Sequence, residues 1–168
     1  LRKLATELED RDPARAATAY EKLLASDPNA DDAYRGLERV LEAQENWYEL
    51  VALHRRHIAV AKTPAQRVEL YVASARVYEK QLDDPHKAIE SLLNVIAIDD
   101  ANRDALAGLP PLYLRTDQFE RAIDILVRHA AIEGDRGAFF YAEAGVLAAE
   151  KLGDAEVAQR HFDKALTL

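Results

Sequence analysis

ARVYEKQLDDPHKAIESLLNVIAIDD, residues 75–100, reads as the end of one helix, a tight turn and the start of another. Asp84 followed by Pro85 is a helix start, because a carboxylate caps free amide groups and proline is tolerated at the first helical position. Ala88, Leu92 and Val95 then recur at helical spacing, with Ile89 and Ile96 beside them and Lys87, Glu90 and Asn94 opposite. Upstream, Tyr71, Ala75 and Tyr78 make a matching apolar stripe. One such hairpin cannot bury both of its faces, so it needs neighbours of its own kind.

Those neighbours are present as shifted copies. Asp12-Pro13 precedes Ala16, Tyr20 and Leu23 as Asp84-Pro85 precedes Ala88, Leu92 and Val95, an offset of 72 residues. The same offset carries Ala33 to Ala105, Leu37 to Leu109, Trp47 to Phe119, Leu53 to Ile125 and His57 to His129. LGDAEVA at 152–158 echoes LDDPHKA at 82–88. With intermediate copies about half as far apart, the period is about 34–38 residues, that of helix-turn-helix arrays.

The copies resemble the tetratricopeptide repeat, whose pattern runs W-x2-L-G-x2-Y, then A-x3-F, then P. Tyr34, Leu37 and Leu41 stand at the first aromatic, leucine and tyrosine positions of the second unit. Ala16, Tyr20 and Pro28 match in the first unit, and Tyr141, Gly145, Ala158, Phe162 and Ala165 in the last. Glu38 replaces the glycine, Leu50 and His54 replace the alanine and second aromatic, and Ala144 replaces a leucine. Units three and five are one residue longer at the turn, with Leu82 and Leu152 as the extra residues. The resemblance implies an all-α fold, an α–α superhelix (solenoid) of about five repeats with the first truncated. As a single array over 1–168, the units are about 1–30, 31–66, 67–102, 103–135 and 136–168.

Start and stop signals predict ten helices, the first ending near residue 9 behind Leu1, Leu4 and Leu8. The others span about 13–26, 31–44, 46–61, 65–81, 85–98, 102–115, 118–132, 136–151 and 154–167. Asn46 with Glu49 and Thr63 with Gln66 read as capping boxes, and Asp117 as a cap. The expected core includes Leu37, Leu41, Leu50, Tyr78, Ala88, Leu92, Tyr113, Ala122, Ala144, Ala158 and Phe162. Pro110-Pro111 falls inside a helix, where each proline lacks an amide donor and crowds the preceding turn. A kink there either opens a groove at Leu106 and Ala107 or follows the curvature of the array.

The composition excludes several classes. Neither cysteine nor methionine occurs, and no apolar run approaches the ~20 residues that span a bilayer. The three serines stand in no glycine-rich elbow, and neither a phosphate-binding loop nor a dinucleotide fingerprint appears. His54 and His57 share a helix face and could hold a metal, but no third ligand of the HExxH kind accompanies them. Packed imidazoles are expected there, with no cofactor, no metal and no catalytic residue. A net charge of −8, negative in every unit, disfavours nucleic acid. No basic amphipathic helix offers a membrane anchor. A start at Leu1 and abundant alanine and arginine suggest an internal piece of a longer bacterial protein, with the cytoplasm the favoured compartment.

What remains is a binding surface. In tetratricopeptide-repeat proteins the first helices line a concave face on which peptides or helices lie. The resemblance then places Asp32, Arg35, Arg39 and Glu42 inward, followed by Glu69, Val72, Arg76 and Glu79. Asp104, Ala107, Pro111 and Leu114 come next, then Phe139, Ala142, Val146 and Ala149. Arg35, Arg39 and Arg76 would meet an acidic segment, and Leu114, Phe139 and Val146 an apolar anchor. Local pairs, Arg35 with Asp32 or Glu38, Arg39 with Glu42 and Arg76 with Glu79, are the competing use of these charges. The function expected is a non-enzymatic protein–protein interaction scaffold. The alternative is a structural spacer or self-assembly element, whose stripe charges would neutralise one another. Apolar ends at Leu1, Leu4 and Leu8, and at Phe162, Ala165, Leu166 and Leu168, also suggest end-to-end self-association.

Overall fold

The computed structural model describes residues 2–168, so Leu1 of the first apolar stripe lies outside the described residues. The chain divides into two compact units, the first running to Leu82 and the second covering Asp83–Leu168.

The first unit holds α1 (Arg2–Leu8), α2 (Pro13–Ser26), α3 (Asp31–Ala43), α4 (Trp47–Val60) and α5 (Pro64–Lys80). Each helix packs on the next, over connections of only three or four residues. Asp12 and Thr63 cap α2 and α5 as their side chains accept the amides of Arg15 and Gln66, both at 3.1 Å. The core gathers Ala16, Tyr20, Tyr34, Leu37, Leu50 and Leu53, with Trp47 and Tyr78 partly buried against it.

The second unit holds α6 (Pro85–Ile98), α7 (Arg103–Arg115), α8 (Phe119–Glu133), α9 (Ala138–Leu147) and α10 (Ala155–Leu166). A 3₁₀ turn, Gly134–Gly137, leads into α9, and a π-helical turn, Ala148–Leu152, extends it. Asp84, Asn102 and Asp154 cap α6, α7 and α10 by accepting the amides of Lys87, Ala105 and Val157. Ala88, Ala122 and Ala158 are buried at the small-residue position of each second helix, where a short side chain lets the neighbouring helix approach. No strand occurs among the described residues.

Three expectations need correction. Asn46 forms no side-chain cap, so the capping box with Glu49 is not made. Instead Glu45 turns left-handed at φ +54°, and the Asn46 amide bonds back to the Leu41 carbonyl at 2.9 Å, closing α3. Asp117 likewise stands at φ +55° as the residue that stops α7, one position too early to cap α8. Tyr78 and Phe162 are only partly buried rather than core. The extra residue at Leu152 is absorbed by the π turn, in which the Asp154 amide reaches the Ala148 carbonyl at 3.0 Å. α7 runs unbroken through Pro110 and Pro111, although the Leu106 and Ala107 carbonyls lose the donors those positions would supply.

Candidate functional site

The charged stripe of the first unit is already largely occupied. Asp32 pairs with Arg2 at 2.7 Å, and Arg35 donates through Nε to Asp31 at 2.9 Å. Arg39 grips Glu9 with two parallel bonds, Nε to Oε2 at 3.0 Å and Nη2 to Oε1 at 2.7 Å. The Tyr20 hydroxyl donates to the same carboxylate. The Arg39 bond holds the Glu9 carboxyl below its ordinary range, against partial burial, with the Tyr20 bond adding to it. These are not the pairs expected: Arg35 takes the residue four before it, and Arg39 reaches across to the end of α1. Arg76 alone of the three arginines is exposed with no ion pair among the described residues.

Behind the stripe the histidines are structural. His54 is buried between Glu38 and Ser74, each 3.1 Å away. Its hydrogen bond lowers the Glu38 carboxyl from its usual range, outweighing burial. His57 stacks flat on Tyr34, with centroids 4.1 Å apart, and its Nε2 lies 2.9 Å from Asp31. Burial nevertheless pushes the His57 imidazole below its ordinary pKa. Both rings are thus used in packing and hydrogen bonding within the unit.

The second unit has a different inner face. A pocket of about 530 Å³ opens between α7 and α9, floored by α8. Pro110, Pro111 and Leu114 form the α7 wall, Leu126 and His129 the floor, and Phe139, Glu143 and Val146 much of the α9 wall. Leu114, Phe139 and Val146 therefore line one cavity, and Phe139 and Val146 remain 61% and 42% exposed. The Arg35 and Arg39 side chains belong to the first unit and line no part of it.

The pocket wall is fixed by aromatic stacking. His129 lies on Phe140 with centroids 3.9 Å apart, and Phe139 meets Phe140 edge-on at 5.4 Å and 78°. Burial lowers the His129 pKa, opposed by Glu133, and its Nδ1 is buried without a hydrogen-bond partner. The expectation of a satisfied imidazole at this position is thus only half met, because the ring sits in a lining that is mostly apolar. Glu143, which the inward stripe of 139, 142 and 146 omits, also lines the cavity. The residue is exposed, and partial desolvation by its neighbours raises its carboxyl pKa; no cation pairs with it among the described residues. Its spacing was the available signal: 139, 143 and 146 fall at i, i+4 and i+7 of one helix. No group of three or more metal-binding side chains occurs among the described residues. No helix there is long and apolar enough to cross a membrane.

Comparison with known proteins agrees with this architecture. Two tetratricopeptide-repeat family models match, one over residues 33–68 and one over 68–102. A crystal structure of MamA is similar at a TM-score of 0.64 and 21% identity, covering 99% of this chain and 90% of that one. YrrB, a tetratricopeptide-repeat protein with an unusual peptide-binding site, gives 0.61 and 21%, over 98% of this chain and 82% of its own. MamA from Desulfovibrio magneticus RS-1 gives 0.60 and 17%, over 99% and 94%. No protein of curated function matches the sequence.

Proposed function

Because the chain belongs to the tetratricopeptide-repeat family, we propose that it is a non-catalytic scaffold that binds a peptide or helix of a partner protein on its first helices. The observation that carries this reading is the apolar pocket between α7 and α9, with Phe139 and Val146 left exposed at its edge. Exposed aromatic and aliphatic side chains grouped in a concave pocket are what a protein partner uses as an anchor site. The peptide-binding site described for YrrB supports the same use of the fold. Of the three arginines assigned to an acidic segment, Arg76 keeps that role in the proposal, since it is the one without an ion pair among the described residues.

The spacer reading has its own support, confined to the first unit. Asp32, Arg35 and Arg39 are neutralised by Arg2, Asp31 and Glu9, as a stripe that binds nothing would be. The two readings divide by element: structural charge on α3, with docking proposed at Arg76 and at the pocket of the second unit.

The test is photo-crosslinking from position 139 or 146 in cells, with position 22 on α2 as the control, followed by titration of the captured protein in purified form. Val146→Asp should weaken its binding at least tenfold, the equivalent of ~1.4 kcal/mol, without loss of helicity. An affinity unchanged by Val146→Asp would place the binding surface elsewhere.

A further inference from the structure

The pocket of the second unit is selective in sign. Its walls are apolar on every side, and its ionisable lining groups are Glu143 and His129. His129 is buried against Phe140 and held neutral at physiological pH by that burial. Glu143 is therefore the one charge the lining presents, an anion with no cation paired to it among the described residues. Several basic residues of this unit are held by other partners. Arg103 pairs with Glu133 at 2.8 Å, Arg115 with Asp83 at 2.5 Å and Arg128 with Asp100 at 3.4 Å. Lys151 sits over the Phe119 ring, 5.8 Å from its centroid.

From this arrangement we infer that the pocket takes an aromatic or large aliphatic side chain of a partner segment whose adjacent residue on the same face is a lysine or arginine, and that Glu143 receives that cation. The inference rests on the docking reading above and gives its occupant a chemistry. Glu143 stands exposed at the edge of the pocket, and an acidic neighbour would meet its carboxylate as a like charge. A cation there supplies the partner that Glu143 lacks, and its aliphatic stem lies along Val146 and Phe139. The raised Glu143 pKa fits an exposed carboxylate that its apolar neighbours desolvate in part. At 530 Å³ the cavity falls within the roughly 300–1,000 Å³ of ligand pockets, roomy enough for an anchor side chain and the stem beside it.

The test uses the whole chain and three short amphipathic helical peptides. They are identical except at the position beside a phenylalanine anchor, which is lysine, glutamate or alanine. Binding is followed by NMR on the resonances of Leu114, Phe139 and Val146. The lysine peptide should bind on the order of tenfold more tightly than the glutamate peptide, with alanine between, and added salt should narrow the gap. Glu143→Gln, a change at the wall of an open pocket, should abolish the ranking yet leave the apolar shifts in place. Equal binding of the lysine and glutamate peptides, or a ranking unchanged in Glu143→Gln, overturns the sign selectivity while docking stands. If no peptide moves these resonances and Val146→Asp leaves the affinity of the crosslinked protein unchanged, the docking reading falls and the inference with it.

Discussion

Phe162 lays the edge of its ring on Gly145, so closely that a Cβ at position 145 would stand 2.7 Å from Phe162 Cε1 and 2.9 Å from Cδ1. The glycine is buried in α9, the phenylalanine half-buried in α10, and the contact sets how near the two helices come. Gly145→Ala is accordingly expected to destabilise the second unit by about 1–3 kcal/mol, since an overpacked site must shift backbone or ring. Urea unfolding followed by circular dichroism measures it. Phe162→Leu in the same chain should recover part of the loss, and strict additivity of the two changes would show that the contact is not the cause.

Glu45 offers the opposite experiment. It holds φ +54° at the turn between α3 and α4, where a Cβ costs roughly 1–2 kcal/mol and glycine costs none. Glycine also loses more freedom on folding, so Glu45→Gly should gain no more than about 1 kcal/mol. Trp47, two residues on and partly buried in the first-unit core, reports it through fluorescence-detected unfolding. A lower midpoint in the variant would mean that the Glu45 side chain contributes more than its backbone strain costs.

Acid should weaken the fold through its imidazoles. His57 and His129 have folded pKa values below the unfolded 6.5, so the unfolded chain binds more protons as pH falls past that value. Stability is full above about pH 6.5 and is lost progressively below it, down through the folded pKa values. Glu38, lowered by its His54 bond, adds loss of the same sign below its unfolded value of 4.5. Denaturation midpoints at about pH 7 and about pH 5.5 should differ in the wild type and lie closer together in His57→Gln/His129→Leu, where His161, also lowered by burial, keeps part of the slope. A pH slope left unchanged by both substitutions would rule out these two rings as its source.

Arg39 and Arg76 should separate stability from binding. Arg39 joins the end of α1 to α3 through Glu9, so Arg39→Ala should lower stability by up to about 1 kcal/mol, the pair being half open to solvent. Arg76→Glu should leave the midpoint within about 0.5 kcal/mol of wild type. Only Arg76→Glu is expected to change partner affinity and its salt dependence. An affinity loss in Arg39→Ala at unchanged stability would reverse these roles.

The helices were legible because their boundaries are written locally. Asp12-Pro13, Thr63-Pro64 and Asp84-Pro85 each place a cap and a proline at adjacent positions, and each starts a helix where expected. Asn46 and Asp117 misled because a polar residue near a helix start serves equally well as the stop of the helix before it. The left-handed residue is chosen by backbone geometry that the side chain does not announce. Arg39 and Glu9 lie 30 residues apart, beyond any helical periodicity, so local pairs were the only ones visible. The apolar part of the candidate site was readable from the stripe. Glu143 was not, because a strict single stripe takes 142 and passes over the neighbour that also faces the cavity.

The π turn at Ala148–Leu152 bears on how such a chain tolerates change in its own length. One inserted residue is taken up at the last turn of a first helix, ahead of Gly153 and the Asp154 cap, and nothing downstream loses its place. Single insertions and deletions should therefore survive at the ends of first helices. Copies of this repeat can drift in residue count while the spacing between caps and cores stays fixed, so alignments of related sequences should be anchored on the caps and allowed their gaps just before them.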